Sequence, residues 1–509
     1  MSMSIEASKQ SDPMSYSASN IPNCLRVGTA SIRRAISAKK SLARYSSENS
    51  GTFTPTNNVI RFPISSTGLL SLSEAKFSFD LTNTGATDPV GLDTSAACVI
   101  RQLRAIGLDG TEIERINNYN LLDNIQGQYL GDMDVDNILS GGPARQSKFP
   151  VFSAVNSGVL TAGARTATDP ISGLAVTVQN TLADTAATLS RVTIASTGSS
   201  VPYRQEEADI LNKDIARHYE VSLRSSGWFN TSHKRLLPGS TPFILELTLA
   251  EANSCLVRRP TAGATDANLL YTVTNPFITV PVVSIQDVQC LQHMSQKMAQ
   301  GLSWSAHTYK HHVNSIANGT GEQTSVQIND RSYDLTAMLT TIRNTGDLQA
   351  VDKYSLGKYS VQGVTSYQYE IGNTQYPPQQ IAIKTGANNA KTAAGIRVIL
   401  PDNTGFNVSR LFSEVKMVLS RMGHPHVNVN AENFAQSEIN NATGFLAIDL
   451  ASYSDNSTNS GIDTKSVSQN VTLQLTTQAA LGQAQQLDSF CLVGIEFSRQ
   501  PDGRIMSVY

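Results

Sequence analysis

The sequence predicts an all-β protein built of two β-sandwiches in tandem, with short crossing helices, long loop insertions and a flexible N-terminal arm. The chain has 509 residues, which is too long for one ordinary hydrophobic core and sufficient for two. It is rich in Ser, Thr, Asn, Val, Ile and Gly, a mixture that suits short strands joined by polar turns. Only 16% of the residues are charged and the net charge is −2, which excludes a protein that binds nucleic acid through bulk positive charge.

The predicted arm, residues 1–50, begins with a polar stretch and continues with a basic segment. Residues 1–24 contain no apolar run typical of a secretory signal, so we expect a protein that is not secreted and is kept on the cytosolic or nuclear side. Residues 25–47 contain no acid, and their apolar residues recur at helical spacing. This pattern predicts a basic amphipathic helix that contacts a membrane, nucleic acid or a partner protein, or that packs on its own domain. The candidate contact residues are Arg26, Arg33, Arg34, Lys39, Lys40 and Arg44.

The first sandwich is predicted over residues 51–260. The Asp109-Gly110 pair lies between two apolar alternations and predicts a tight β-hairpin. Apolar and aromatic residues at helical intervals predict a short helix over 117–131. Residues 132–210 are rich in Ala, Thr, Ser and Gly, which predicts large surface loops with minor strands. The other strands predicted by alternation are 57–65, 74–83, 216–229 and 242–250.

The second sandwich is predicted over residues 261–509, after a break near residues 259–265. Its opening strands are predicted within 269–291, with a short helix or irregular strand after them, and 334–346 is predicted to be its crossing helix. The two halves share no sequence repeat, so their doubling is inferred from strand spacing. Further predicted strands are 301–313, 324–333, 359–372, 396–400, 445–452, 470–477 and 487–498, and long insertions are predicted at 310–330, 345–400 and 425–466.

No constellation of residues predicts catalysis, a cofactor or a metal site. The five cysteines are scattered and odd in number, which favours free thiols. His307, His311 and His312 would meet on a helix, but the surrounding alternation predicts a strand that places His311 and His312 on opposite faces. Residues 132–136 carry three alternate aspartates, as in a calcium loop, but the glycine and glutamate of such a loop are missing. We therefore predict a protein that is not an enzyme.

Two segments of the sequence carry a family resemblance. Within 219–250, an aromatic turn, a Leu-Leu-Pro loop and an apolar strand with a central glutamate follow one another. Within 366–381, a Tyr-Pro turn follows a strand, and the chain finishes on a predicted strand hairpin. This pattern resembles the double jelly-roll major capsid proteins of double-stranded DNA viruses, including Polinton-like and small eukaryotic virus members. The residues in the first segment that match are Trp228, Phe229, Leu236, Leu237, Pro238 and 244–247.

The resemblance implies two tandem jelly rolls and a structural role in an icosahedral virion. Three copies would form a capsomer with a pseudo-hexameric outline, and the partners would be the chain itself and minor capsid or penton proteins. The basic segment would face inward, toward an internal membrane, the genome or a minor capsid protein. Two alternatives stay open at this point. One is a single jelly-roll coat protein with a protruding domain, from a small RNA or single-stranded DNA virus, and the other is a glycan-binding adhesin built of β-sandwiches.

Overall fold

A computed structural model describes most of the chain that follows the N-terminal arm. The residues described are 38–49, 51–85, 90–129, 163–168, 175–180, 192–196, 210–211, 213–229, 236–258, 269–320, 322–348, 356, 364–383, 409–422, 445–452, 460–465, 470–477 and 484–508. Within these ranges the strands form two groups of antiparallel sheets, and the predicted all-β fold is confirmed.

The first group, named here the first unit, comprises strands β1 to β17. They are β1 (Ala38–Ser46), β2 (Thr52–Phe53), β3 (Val59–Ile64), β4 (Leu69–Leu70), β5 (Lys76–Asn83), β6 (Val90–Leu92), β7 (Ile100–Gly107), β8 (Glu112–Asn117), β9 (Gly163–Thr168), β10 (Ala175–Asn180), β11 (Val192–Ser196), β12 (Ile210–Leu211), β13 (Ala216–Ser222), β14 (Leu237–Pro238), β15 (Phe243–Leu249), β16 (Leu256–Arg258) and β17 (Tyr271–Ile285).

Two larger sheets of the first unit face each other across a hydrophobic core. One has the order β3-β15-β7-β8, and the other has the order β13-β5-β17-β4-β14, with β1 and β2 also paired to β17. The rings of Phe62 on β3 and Phe77 on β5 meet edge to face with centroids 5.9 Å apart, so the core lies between these sheets. Smaller sheets, β12-β6-β16 and β11-β10-β9, complete the unit.

Local sequence patterns explain the strongest elements of the first unit. Phe77, Phe79 and Leu81 alternate along β5 and are all buried, as the period of a half-buried strand requires. The β7–β8 hairpin forms at the predicted Asp109-Gly110 turn, where Gly110 has a φ of 84°, a value that favours glycine. The alternating strands and this hairpin are therefore confirmed.

The second group, named the second unit, comprises strands β18 to β26. They are β18 (Leu302–Ile316), β19 (Gln323–Ile328), β20 (Leu335–Asn344), β21 (Val364–Ile371), β22 (Thr374–Ala382), β23 (Leu446–Asp449), β24 (Val471–Thr477), β25 (Gln485–Arg499) and β26 (Ile505–Val508). The predicted insertion over 310–330 is wrong, because β18 and β19 occupy most of it.

The strand order of the second unit is that of a jelly roll. One sheet has the order β18-β25-β20-β23, and the other has the order β19-β24-β21-β22. If its first eight strands are counted along the chain, these orders are first, eighth, third, sixth and second, seventh, fourth, fifth. This is the arrangement in which two Greek keys fold into a sandwich. β26 pairs with the last residues of β25, beyond the part of β25 that pairs with β20.

Helices are short and lie between the strands. The α-helices of the described residues are α1 (Tyr119–Tyr129), α2 (Ala252–Cys255), α3 (Val288–Gln300) and α4 (Ser409–Arg421), and 3-10 turns occur at Leu72–Glu74, Ala96–Val99 and Thr345–Asp347. α1 and α3 confirm two predicted helices, whereas α4 was not predicted. None of the described helices is both long and apolar enough to cross a membrane.

The predicted crossing helix over 334–346 is wrong, because this segment is strand β20. Its apolar residues Leu335, Met338 and Ile342 have helical spacing, and this spacing suggested a helix. However, nine of its ten residues are buried, so both faces of the strand are covered and no apolar–polar alternation is needed. The β-branched Thr336, which is also buried, is typical of such a strand.

The predicted amphipathic helix over 25–47 is wrong for the part that the structure describes. Residues 38–46 form β1, which pairs antiparallel with β17 from Ala38 opposite Ile285 to Ser46 opposite Phe277. Pairing along the whole strand satisfies one edge of its backbone, and this tertiary contact outweighs a weak local helical pattern. The remainder of the predicted helix lies outside the described residues.

The strand pairing also moves the border between the two units. The predicted border near residues 259–265 would place β17 in the second unit. β17 pairs with β1, β2, β4 and β5, which are strands of the first unit, so its sheet belongs to that unit. The sheets of the two units separate after β17, in the region of α3. Whether the units are independent domains stays a prediction.

Candidate assembly site

The basic residues of β1 contact their own unit. The Lys40 ammonium forms an ion pair with Glu74, and the Arg44 guanidinium lies over the ring of Phe277, 3.8 Å from its centroid. Lys39 is exposed. Of the six predicted contact residues, these three therefore lie on one edge strand, while Arg26, Arg33 and Arg34 lie outside the described residues. Contact of the six basic residues with a membrane, nucleic acid or a partner protein stays a prediction.

β1 nevertheless presents an exposed surface at the side of the first unit. Leu42, in the middle of the strand, is 69% exposed. The strand is held at its end by Tyr45, whose hydroxyl donates to the carbonyl oxygen of Ser65 at 2.8 Å. β1 is therefore fixed at the edge of the sheet, with part of its outer side exposed.

A buried carboxylate of β8 joins the two units. The carboxylate of Glu114 accepts hydrogen bonds from the backbone N–H groups of Gly227 at 2.8 Å and Trp228 at 3.0 Å. It also accepts from the hydroxyls of Ser226 and Thr308, and Thr308 belongs to β18 of the second unit. Burial raises the pKa of Glu114, and the four donors lower it in part. These four partners, all among the described residues, are neutral hydrogen-bond donors.

The backbones of the two units approach closely beside Glu114. A Cβ atom built on Gly227 would lie 2.0 Å from the carbonyl oxygen of His307 and 2.9 Å from Oε1 of Glu114. These distances are below van der Waals contact, so only glycine fits this position without a shift.

Aromatic rings fill the junction next to this contact. The ring of Trp228, in the first unit, lies with its centroid 4.9 Å from that of Phe497 and 5.9 Å from that of Trp304, both in the second unit. Trp228 also meets Phe243 of its own unit edge to face at 5.4 Å. Arg499 of β25 donates from Nε to Oγ1 of Thr241 at 2.8 Å, which adds a polar contact across the junction. The two hydrophobic cores are continuous through these residues.

A second buried carboxylate lies on the second unit at the other side of β18. Asp488 of β25 accepts from Nε of Arg343 at 2.9 Å and from Nη2 at 2.7 Å. Nε2 of His311 lies 3.0 Å from the carboxylate, and Nδ2 of Asn118, from the first unit, lies 3.4 Å from it. Burial raises the pKa of Asp488, but Arg343 and His311 lower it by more, so it lies well below its usual range.

A polar cleft of about 640 Å³ opens beside this cluster, at the border of the two units. It is lined on the first unit by residues such as Arg101 and Asn120, and on the second unit by His311, Arg343 and Gln486. Its walls present guanidinium, amide and imidazole groups together with the apolar side chains of Val313, Leu348 and Leu356.

The residues considered for metal binding in the sequence fall at separate places. His307, His311 and His312 all lie on β18, and the predicted separation is confirmed: His311 faces Asp488, whereas His312 faces Asp330. Burial lowers the pKa of His307. The aspartates within 132–136 lie outside the described residues. Among the cysteines described, Cys98, Cys255 and Cys491 are free and buried.

The comparisons with known proteins bear on the fold. No family model matches the chain, and no curated protein matches it in sequence. The PBCV-1 virus capsid matches with a TM-score of 0.55 and 11% identity, over 94% of this chain and 98% of that chain. The Faustovirus major capsid protein matches with a TM-score of 0.55 and 8% identity, over 91% of this chain and 90% of that one.

A structure of the Sputnik virophage matches with a TM-score of 0.52 and 9% identity, over 92% of this chain and 88% of that chain. The chain shares its fold with viral capsid proteins. The predicted resemblance to double jelly-roll capsid proteins is therefore confirmed at the level of fold.

Proposed function

We propose that the chain is the structural major capsid protein of an icosahedral virion. The observation that carries the proposal is the capsid fold, which extends over more than nine tenths of this chain in all three structures compared and includes both units. The proposed role is mechanical rather than catalytic, because it depends on the shape of the subunits and on how they associate. The protein is then located in the virion and assembled in the cytoplasm or nucleus of a host cell.

We propose further that three copies form a capsomer. Each copy contributes two sandwiches, so a ring of three copies has six corners and a pseudo-hexagonal outline. A ring of this kind requires the two units of one chain to keep a fixed relation. Glu114, Gly227 and Trp228 support this requirement, because hydrogen bonds, close backbone contact and aromatic packing join the units there. In this proposal the border between the two domains lies at α3, with β1 to β17 in the first domain and β18 to β26 in the second.

The test is the mass and the shape of the purified full chain. Light scattering coupled to size-exclusion chromatography is expected to give about 164 kDa, three times the chain mass of 54.8 kDa. Electron microscopy is expected to show six-cornered particles with threefold symmetry. A chain that stays monomeric at all concentrations tested and forms no shell would contradict the proposal. A monomer that binds on a glycan array would instead favour the adhesin.

The basic segment is proposed to act on the inner side of the shell. Arg26, Arg33 and Arg34 precede β1 in the sequence, and β1 is paired along its length with β17. The variant that tests this role deletes residues 1–37 and keeps β1, because a deletion extending to residue 48 would also remove that strand. Its matched control replaces Arg504, an exposed basic residue outside the segment, with Ala.

If the segment contacts a membrane, the genome or a minor capsid protein, the deletion is expected to give trimers of normal stability and particles with altered contents. The contents are measured as lipid, nucleic acid and protein per particle. Particles with normal contents would refute this role and would leave the capsid proposal intact.

A further inference from the structure

Three side chains able to bind a metal converge in the second unit, away from the junction. They are His312 on β18, Asp330 in the segment after β19, and Cys491 on β25. One ligand atom of each lies within 4.8 Å of the other two. The carboxylate of Asp330 is fully buried and Cys491 is buried, whereas the side chain of His312 is 23% exposed. His312 therefore forms the side of the cluster that an ion can reach from solvent.

The register of the sheet brings two of the three residues to one face. In the β18–β25 pairing, His312 lies opposite Ser489 and Lys310 lies opposite Cys491. His312 and Cys491 are thus diagonal neighbours with side chains on the same side of the sheet. Asp330 comes to this face because β19 belongs to the opposing sheet and the chain crosses back to β20 directly afterwards.

The polar atoms of the cluster are arranged as a ligand set with an open centre. Nε2 of His312 and Oδ1 of Asp330 are buried, have no hydrogen-bond partner and lie 3.7 Å apart. The other carboxylate oxygen, Oδ2, accepts from the hydroxyl of Ser332 and from Oγ1 of Thr464 at 3.2 Å. These hydroxyls orient the carboxylate and leave Oδ1 directed at His312. Buried polar atoms without partners carry a free-energy cost, which a bound cation would remove.

We propose that His312, Asp330 and Cys491 bind a divalent metal ion of the zinc type. Imidazole, carboxylate and thiolate together match the borderline-soft ligands that Zn²⁺ takes, and water would complete a tetrahedral site. Bond lengths of about 2.0–2.3 Å separate neighbouring ligand atoms by about 3.3–3.6 Å in such a site. Nε2 of His312 lies 3.7 Å from Oδ1 of Asp330, and no two of the three ligand atoms are more than 4.8 Å apart, so the separations exceed these values by at most about 1.5 Å. Small rotations of the His312 and Cys491 side chains can supply this closure.

Lys310 is the charged neighbour that competes with this ion. Its side chain lies on the same face of β18, and its Nζ donates to the carbonyl oxygen of Arg331 at 2.6 Å.

The experiment titrates the reduced, tag-free full chain with Co²⁺ and then displaces the Co²⁺ with Zn²⁺. One equivalent is expected to bind, with a thiolate-to-cobalt absorption band in the near ultraviolet and a tetrahedral visible spectrum. Cys491→Ala is expected to abolish the thiolate band. Cys255→Ala, which removes a buried cysteine elsewhere in the fold, is the matched control and is expected to keep it.

His312→Gln provides a variant at the most exposed ligand, where folding is least disturbed. It is expected to weaken Zn²⁺ binding by at least about tenfold and to lose the rise of melting temperature that Zn²⁺ gives the natural chain. Absence of the cobalt band in the natural chain, or unchanged affinity in folded His312→Gln, would overturn the proposal. Either result would leave the capsid function untouched, since that function rests on the fold.

Discussion

Glu114 in the first unit and Asp488 in the second are both buried carboxylates near the junction, but their surroundings differ. Glu114 receives two backbone N–H groups and two hydroxyls, and burial raises its pKa. Asp488 receives a bidentate guanidinium and an imidazole, and its pKa is lowered despite burial. The first carboxylate therefore organises neutral backbone, whereas the second balances a buried positive charge. Substitutions of Glu114 and of Asp488 should therefore change the stability of the protein and its pH dependence in different ways.

The same contrast appears in the strand orders of the two units. The second unit closes into a jelly roll from its own consecutive strands. The first unit recruits β1 and β17, from the two ends of its sequence, to complete one sheet. The first unit therefore depends more on pairing between strands that are far apart in the sequence. Its sheet is complete only after the segment from β1 to β3 has met the segment around β17.

Asp488→Ala should give the largest loss of stability. The substitution removes Asp488 as a counter-charge of the Arg343 guanidinium, which is 7% exposed, and so breaks a buried ion pair from one side. Breaking a buried ion pair from one side typically costs about 3–5 kcal/mol of unfolding free energy. Chemical denaturation of the full chain measures this loss. Asp80→Ala is the control, because Asp80 pairs with the exposed His218, and its loss should stay below about 1 kcal/mol. Equal losses in the two variants would contradict the contrast.

Gly227→Ala should come next and should act on the junction rather than on either core. Its added Cβ would lie 2.0 Å from the carbonyl oxygen of His307, so the two units must move apart. Overpacking of this kind costs about 1–3 kcal/mol, and we expect the upper part of this range because the neighbour is backbone. Gly51→Ala is the control, since nothing lies within 4 Å of its Cβ. The trimer should be lost before the fold is, as measured by light scattering and circular dichroism. A stable, trimeric Gly227→Ala would refute the close contact.

The pH dependence of stability should separate the two carboxylates. The lowered pKa of Asp488 means that its contribution is present above the unfolded value of about 3.9 and is lost as the pH falls toward the folded value. Asp488→Asn should therefore flatten the acid limb of the stability curve by up to about 1.4 kcal/mol per pH unit. The raised pKa of Glu114 has the opposite sign: its contribution is greatest below about pH 4.3 and declines as the pH rises. Glu114→Gln should leave the acid limb below pH 4 unchanged, and a flattened limb in this variant would reverse the assignment.

The sequence predicts those parts of the fold whose signals are local. Phe77, Phe79 and Leu81 alternate because one face of β5 meets water, and the Asp109-Gly110 turn needs only its own residues. β20 and β1 were assigned as helices because their environments come from elsewhere in the chain: the opposing sheet covers β20, and β17 pairs with β1. No local pattern encodes these contacts.

The junction residues were missed for a related reason, although weak signals exist. Glu114 lies two residues before the buried Ile116 in β8, and Asp488 lies two residues before the buried Phe490 in β25. Side chains two residues apart in a strand point to the same face, so each acid lies on an inward-facing row. A charge in such a row indicates a buried partner. The partner cannot be identified from the row itself, since Thr308 and Arg343 lie 194 and 145 residues away. α4 could have been predicted, because Leu411, Val415, Val418 and Leu419 recur at helical spacing.

Lys40→Ala should cause the smallest loss of stability among these substitutions, because it removes an ion pair at the surface of the first unit. The side chains of Lys40 and Glu74 are 56% and 52% exposed, and exposed ion pairs contribute about 0–1 kcal/mol. The melting temperature and the trimer mass should therefore stay close to those of the natural chain. Because β1 is held by pairing with β17 and not by this ion pair, a loss above about 1 kcal/mol would contradict the assignment of β1 as a strand fixed by its backbone. Unchanged stability together with a reduced yield of particles would instead place Lys40 in a contact between subunits.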